Sequence, residues 1–415
     1  MKKIIIIIVL LLIVGCSFSE AKVEDTTEAF AFTDGISKYA DITKYTIYGR
    51  YFNFNALLQG NYPDIKLVLK NNDYEIEYNL LINFQDGQTE VKTNELINEG
   101  INLEDIKEGS YFILLKYNDE YYSLKNTTKY EDLDYYTLTK NNKNYEVSIS
   151  FIKILDKEYF VLNKEEKKLP DDYYDIVIDP GHGGVDIGAK NGKAVESKIN
   201  LEYSLLLKDK LEKLGLKVKL TREKDDFLDN YGDDGRVSIP YITKAKMLLS
   251  IHLNSAVKNV YDGGVEIYVP NHTNINFAKR LAENIVNNTS TIYSKNKSDR
   301  IKEGVYLRTL SKSDLETMKK DALEDGYTPY ENATTDSTYY YIIRETGGII
   351  TGAYIDSRNP KKEANPYYNS NHGCESYLLE MGYISSDKNL NIILNEKEKY
   401  VDAIVETVKE EFKME

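Results

Sequence analysis

Apolar and polar residues alternate along one third of the chain and follow a mixed rhythm along another. From Lys44 to Leu162 the runs Ile65, Leu67, Leu69; Tyr74, Ile76, Tyr78; Tyr111, Ile113, Leu115; and Tyr145, Val147, Ile149, Phe151 each skip one polar neighbour. A period of two turns one side of an extended chain toward a core and the other toward water, so these runs predict strands. Asn71-Asn72, Asp86-Gly87 and Asn118-Asp119 separate them with turn formers. The expected unit is a small antiparallel β domain over 44–163, built as a sandwich. Its many tyrosines suit half-buried strand faces, a reading preferred over a glycan-stacking surface.

Lys164–Lys168 is a charged run closed by Pro170, and 164–171 is the expected linker. Beyond it, short apolar runs read as buried strands: Asp175–Asp179, Lys217–Thr221, Met247–His252, Gly264–Val269 and Glu375–Met381. Helical spacing appears between them. Ile199, Tyr203, Leu206, Leu207, Leu211 and Leu214 precede the stop at Gly215, a second helix is expected over Ile275–Asn288, and Tyr400, Val401, Ile404, Val405, Val408 and Phe412 give a closing one. This alternation predicts an α/β domain over 172–415, a mainly parallel sheet with helices on both faces. Residues 289–370 are less regular and include a helix-prone piece, Ser311–Glu324.

The first residues act as an address. Lys2-Lys3 precede the apolar run Ile4–Val14, too short for a stable span and suited to a secretory leader. Ile13-Val14-Gly15-Cys16 resembles a bacterial lipobox, which implies cleavage after residue 15, acylation of Cys16 and membrane attachment through that lipid. Residues 16–43 are polar and aperiodic, as expected of a disordered tether. The implied location is extracytoplasmic, facing the cell wall. With Cys16 acylated, only Cys374 remains, so no intramolecular disulfide is available, and Cys374 reads as a small buried hydrophobe. The net charge of −14 and the lack of a basic block disfavour nucleic-acid binding.

Four histidines, at 182, 252, 272 and 372, nearly enumerate any imidazole site. His182 follows the strand DIVID and Pro180-Gly181, with Gly183 and Gly184 beside it to permit close approach. His252 ends the strand MLLSIH, Glu380 ends ESYLLE, and Glu196 opens the first helix. In an open α/β sheet all four positions face the crevice at the strand ends. Two imidazoles and one carboxylate suit a catalytic zinc, and a further carboxylate suits proton transfer. His372 reads as a rim or hydrogen-bonding residue and His272 as an exposed loop residue.

DPGHGG, ESKINLEYS, LSIHLNSA, GGVEIYV and LLEMGYIS, in this order, resemble the zinc-dependent N-acetylmuramoyl-L-alanine amidases of bacterial cell-wall turnover, over about Tyr174 to Phe412. That resemblance implies one Zn2+ held by His182, Glu196 and His252, with Glu380 as catalytic acid/base. It also implies support or substrate roles for Asp186, Asn254 and Arg344, the last on a recurrent strand before the final catalytic segment, and structural roles for Arg222 and Arg236. The implied reaction is hydrolysis of the amide between the lactyl group of N-acetylmuramic acid and L-Ala of the stem peptide. A zinc peptidase acting on stem peptides and an inert wall-binding lipoprotein remain as alternatives. The implied partners are peptidoglycan and the membrane, with a protein regulator left open. The connection across 289–370 is longer than is usual in the family, which leaves it as a lid, a substrate rim or an autoinhibitory element.

Overall fold

The computed structural model describes residues 36–48, 50–94, 100–127, 132–138, 144–154, 157–168, 171–230, 232, 234–257, 263–271, 273–324, 326–329, 333–347, 351, 354–356, 370–371 and 374–414. Cys16, His272 and His372 lie outside them. Among the described residues no helix is long and apolar enough to cross a membrane.

The alternating part folds into strands Lys38–Tyr48 (β1), Tyr51–Gln59 (β2), Lys66–Lys70 (β3), Glu75–Asn79 (β4), Leu81–Gln85 (β5), Gln88–Lys92 (β6), Ile101–Asn102 (β7), Gly109–Tyr117 (β8), Glu120–Asn126 (β9), Asp132–Leu138 (β10), Asn144–Ile154 (β11) and Lys157–Glu166 (β12). They differ from a two-sheet sandwich by belonging to one branched hydrogen-bonded network. The reason lies in β8, which pairs β12 through Gly109–Ile113, β9 through Leu115–Tyr117, and β3 through Phe112–Lys116. A strand that changes partners along its length turns the corner of a sheet, with the main core on one face and a smaller cluster of Ile36, Phe112, Leu114, Tyr159 and Val161 on the other. Ile47, Phe52, Leu67, Ile113, Leu124 and Phe160 fill that core together with the buried rings of Tyr45, Tyr111 and Tyr122, so these tyrosines serve packing.

Two boundaries differ from the sequence reading. β1 begins at Lys38, inside the expected tether, because Lys38–Ile42 pairs in parallel with Tyr122–Asn126. β12 runs on to Glu166, and Lys164 is buried with its ammonium donating to the carbonyls of Leu103, Glu104 and Ile106 at 2.7–3.1 Å. Three carbonyl acceptors satisfy a lysine that composition alone assigns to a solvated linker.

The second part contains strands Ile176–Pro180 (β13), Lys190–Asn191 (β14), Ala194–Val195 (β15), Val218–Leu220 (β16), Met247–Asn254 (β17), Glu266–Tyr268 (β18), Arg300–Lys302 (β19), Val305–Tyr306 (β20), Tyr327–Pro329 (β21), Tyr354–Asp356 (β22), Ser370–Asn371 (β23) and Glu375–Tyr383 (β24). Its helices are Glu196–Lys213 (α1), Ser238–Ile242 (α2), Asn276–Asn288 (α3), Lys312–Glu324 (α4), Tyr341–Gly347 (α5), Asp387–Asn395 (α6) and Lys397–Glu411 (α7). The central sheet is mixed, in the order β16-β13-β17-β24-β18-β20-β19. β16, β13, β17 and β24 run parallel, β18 joins β24 antiparallel, β20 is parallel to β18, and β19 is antiparallel to β20. Thus β19 and β20, inside the stretch expected to be an insertion, are strands of the sheet itself.

Strict alternation divides the two faces. Ile176, Ile178, Met247, Leu249, Ile251, Tyr377 and Leu379 pack with α1, α3, α6 and α7, whereas Val177, Leu248 and Leu378 pack with Ile342 and Ile343 of α5. The segment YIIRE, expected as a strand, is therefore a helix. A short apolar run fits a buried helical turn as well as a strand, and only burial against Leu248 and Leu378 decides between them.

The two parts meet at a charged seam. Glu104, from the loop before β8, faces Arg50 at 3.5 Å, Lys246 at 3.3 Å and Lys413 at 3.0 Å. Burial alone would raise its pKa, but these three cations hold it down at about 2. Arg50 and Arg280 also pair with Glu411 at the end of α7. A further link is the parallel pairing of β23 with β10, which adds a piece of the second part to the first sheet.

Candidate metal centre

The strand β13 delivers Pro180 and Gly181 to the sheet rim, where the backbone turns sharply. His182 sits at φ 62°, Gly183 at 138° and Gly184 at 58°. A left-handed histidine is costly and persists only when its surroundings hold it. Here two buried arginines do so. Arg222 donates to the carbonyls of Pro180 (2.9 Å), Gly181 (3.0 Å) and Ser197 (2.8 Å), and Arg236 donates to Pro180 O (2.9 Å) and His182 O (2.6 Å). Arg236 is itself anchored on Asp179 at 2.6 Å, and that carboxylate also accepts from Thr221 (2.6 Å) and Ser250 (2.7 Å). Every carbonyl of the turn from 180 to 182 thus has a donor, as buried backbone requires.

Glu196 opens α1 and is buried, and its two oxygens divide their work. Oε2 accepts from Ala189 N at 2.8 Å, while Oε1 accepts from Leu253 N at 3.0 Å and lies 3.2 Å from His182 Nε2 and 3.3 Å from His252 Nδ1. The two imidazole rings stand nearly edge to face, with centroids 4.9 Å apart. One donor atom from each of His182, Glu196 and His252 lies within 4.8 Å of the others. Gly181 makes this possible, since a Cβ there would lie 2.2 Å from the His252 ring. Two imidazole nitrogens and a carboxylate around a glycine-lined cradle form a donor set suited to zinc with an open position.

Asp186 takes a supporting position. Its Oδ2 is 2.8 Å from His182 Nδ1, so the neutral ring donates there and keeps Nε2 free as a lone-pair donor. Asn254 points elsewhere: it donates to Glu266 Oε2 at 2.9 Å. Arg344 is fully buried in α5, ion-paired with Glu345 at 3.1 Å, and bonded to the carbonyls of Thr338 and Tyr339. It braces the segment leading to the rim and stands behind it.

Glu380 pairs in register with His252 on one side and with Glu266 on the other, so His252, Glu380 and Glu266 form a row across three strands. Glu266 is a site residue that motif reading quoted and left without a role. It is fully buried and accepts from Ser294 (2.5 Å), Tyr383 (2.7 Å), Asn254 (2.9 Å) and Tyr268 (2.8 Å). Its neighbours in the sequence, Val265 and Ile267, give only a strand signal, because three of its four donors, Asn254, Ser294 and Tyr383, come from other segments. Glu380 is different: it is buried and its Oε2 has no hydrogen-bond partner among the described residues. Burial, then the charges of Glu196 and Glu266, push its proton affinity well above the ordinary carboxylate range.

Residues 176–323 match the family of N-acetylmuramoyl-L-alanine amidases. The amidase match contains His182, Glu196 and His252, and Glu380 follows on β24 after the long connection. The chain is 32% identical over 144 residues to the germination-specific N-acetylmuramoyl-L-alanine amidase of Bacillus subtilis (strain 168), covering 32% of this chain and 60% of that protein. It is 34% identical over 110 residues to the N-acetylmuramoyl-L-alanine amidase LytC of the same organism, covering 26% of this chain and 21% of that protein. The chain thus spans less than two thirds of the length of either relative. Among solved structures, the amidase AmiC2 of Nostoc punctiforme aligns with a TM-score of 0.38 and 22% identity, over 57% of this chain and 96% of that one.

The site's electrostatics carry a pH dependence. Burial lowers the pKa of His182, but the hydrogen bond and charge of Glu196 and the contact with Asp186 outweigh it and lift the ring to about 8. A ligating imidazole must be neutral, so below about pH 8 a metal competes with the proton. Zinc affinity is expected to fall about tenfold between pH 7.5 and 6.5. Competition with a chromogenic chelator would measure it, and a flat profile across that interval would contradict this account of His182.

Proposed function

We propose that this protein hydrolyses the amide between the lactyl group of N-acetylmuramic acid and L-Ala in peptidoglycan. The observation that carries the reading is the His182, Glu196 and His252 cluster beside a buried Glu380 whose Oε2 has no hydrogen-bond partner among the described residues, within a chain whose residues 176–323 match the amidase family. His182, Glu196 and His252 would hold one zinc ion, which when bound supplies Lewis acidity at neutral pH. The protein's own groups do the rest.

Glu380 serves as proton carrier. It takes a proton from the attacking water and returns it to the departing L-Ala amine, and its raised proton affinity suits both transfers near neutral pH. Glu266 holds its own carboxylate in place with four donors, so Glu380 cannot relieve its burial by borrowing those partners. Asp186 fixes the tautomer of His182, and the arginine clamp on residues 180–182 keeps the ring at the rim. In this reading residues 1–15 are a leader, acylated Cys16 tethers the protein outside the cytoplasm, and peptidoglycan is the partner.

The test is mass spectrometry of muropeptides incubated with the purified full chain. An amidase releases whole stem peptides with a free L-Ala amine, and a chelator should abolish the release until zinc is restored. Shortened stems still attached to sugar would favour a peptidase, and no product with zinc bound would favour an inert wall-binding protein.

A further inference from the structure

A guanidinium is linked to the carboxylate row through three aromatic rings. Thr309 and Thr338 form an isolated antiparallel bridge, Tyr339 N donates to Arg308 O at 2.8 Å, and Leu310 N donates to Ser337 O at 3.0 Å. On this short ladder the guanidinium carbon of Arg308 rests 3.5 Å from the Tyr339 ring centroid. Tyr339 meets Tyr340 edge to face at 5.3 Å, and Tyr340 packs on Tyr268 at 4.6 Å. The Tyr268 hydroxyl donates to Glu266, the register partner of Glu380. Burial, then the charge of Glu380, pushes the Tyr340 phenol up, and the charge of Arg308 opposes it.

Arg308 is half-buried, and among the described residues it makes no ion pair. The carboxylate of Asp314 accepts through Oδ2 from the Ser311 hydroxyl at 2.7 Å and backbone N–H at 2.8 Å, and after these bonds the charge of Arg308 also helps hold its pKa down without an ion pair forming. Arg344 fixes the ladder from behind through the carbonyls of Thr338 and Tyr339. A guanidinium stacked on a ring keeps its N–H edges in plane and directed outward, a geometry matched to a planar carboxylate.

We propose that Arg308, backed by Tyr339 and Tyr340, is the subsite for the first free carboxylate of the stem peptide, on the residue after L-Ala. This rests on the amidase reading. The carboxyl of N-acetylmuramic acid is consumed in the scissile amide, so the glycan side has none to offer, and the carboxylates of the substrate all lie on the leaving-amine side. Arg308 therefore marks the direction in which the peptide runs from Glu380.

The test compares two synthetic muramoyl peptides, one with that carboxylate free and one with it amidated, using the zinc-loaded full chain. The expected kcat/KM ratio in the wild type is about ten- to a hundredfold in favour of the free acid, the range for a charge-assisted hydrogen bond. Arg308→Gln should bring the ratio close to one, and Arg308→Lys should retain part of it as a point charge. The wild-type ratio needs no variant, so misfolding of either substitution leaves the test intact. Equal rates on both peptides in the wild type, or an undiminished preference in Arg308→Gln, would overturn the subsite alone. If the wild type released no stem peptide from either, the amidase reading would fall and the subsite with it.

Discussion

Glu380→Gln is expected to lower kcat by about a thousandfold, within the usual range for removing a positioned acid/base, with zinc content unchanged. Gln keeps the volume and loses the proton transfer, and the cluster of His182, Glu196 and His252 does not include Glu380. The same change should leave the fold as stable or more so. A buried carboxyl whose pKa is raised in the folded state weakens the fold as pH climbs above the ordinary value of 4.5, and the amide removes that penalty. The expected signature is an enzyme that is inactive, zinc-replete and at least as heat-resistant at pH 8 as the wild type. Joint loss of metal and activity would instead make Glu380 a ligand.

The second large effect belongs to Asp179. Asp179→Ala removes the anchor of Arg236 from a fully buried position and also frees Thr221 and Ser250, and breaking such a pair from one side costs about 3–5 kcal/mol. Burial alone would raise the pKa of Asp179, yet Arg236 and the two hydroxyls hold it at about 2 against an ordinary 3.8. Its stabilisation is therefore complete above pH 3.8 and is lost as pH falls through about 2. Denaturant unfolding at neutral pH would measure the cost, and a loss below about 1 kcal/mol would mean that the clamp on His182 does not depend on this pair. Because Arg236 also holds the carbonyls of Pro180 and His182, weaker zinc binding should accompany the instability.

Much of this centre is legible in the sequence because it is local. His182 follows the end of one strand by two residues, His252 lies near the end of another, and Glu196 begins a helix, so short patterns place them at one rim. The parts that escape are those that depend on distant pairing. Glu266 is surrounded by donors from positions 254, 268, 294 and 383. Arg344 reads as a strand residue until the packing of Ile342 and Ile343 on the sheet makes it helical. Arg308 becomes notable only when Thr338 brings Tyr339 beneath it. In the β domain, alternation identifies strands but not that β8 changes partners, since a period of two specifies faces and leaves neighbours open.

The pairing of Ser370–Asn371 with Asp132 and Leu133 bears on how the α/β half should be handled. Three residues separate the end of that short strand from Glu375, where the strand carrying Glu380 begins. Cutting the chain at residue 168 would leave that segment without its neighbour and would uncover the acidic and basic groups that now neutralise one another around Glu104. A truncated chain should thus aggregate or lose order just ahead of Glu380, and low activity in such a fragment would report the missing scaffold rather than the chemistry.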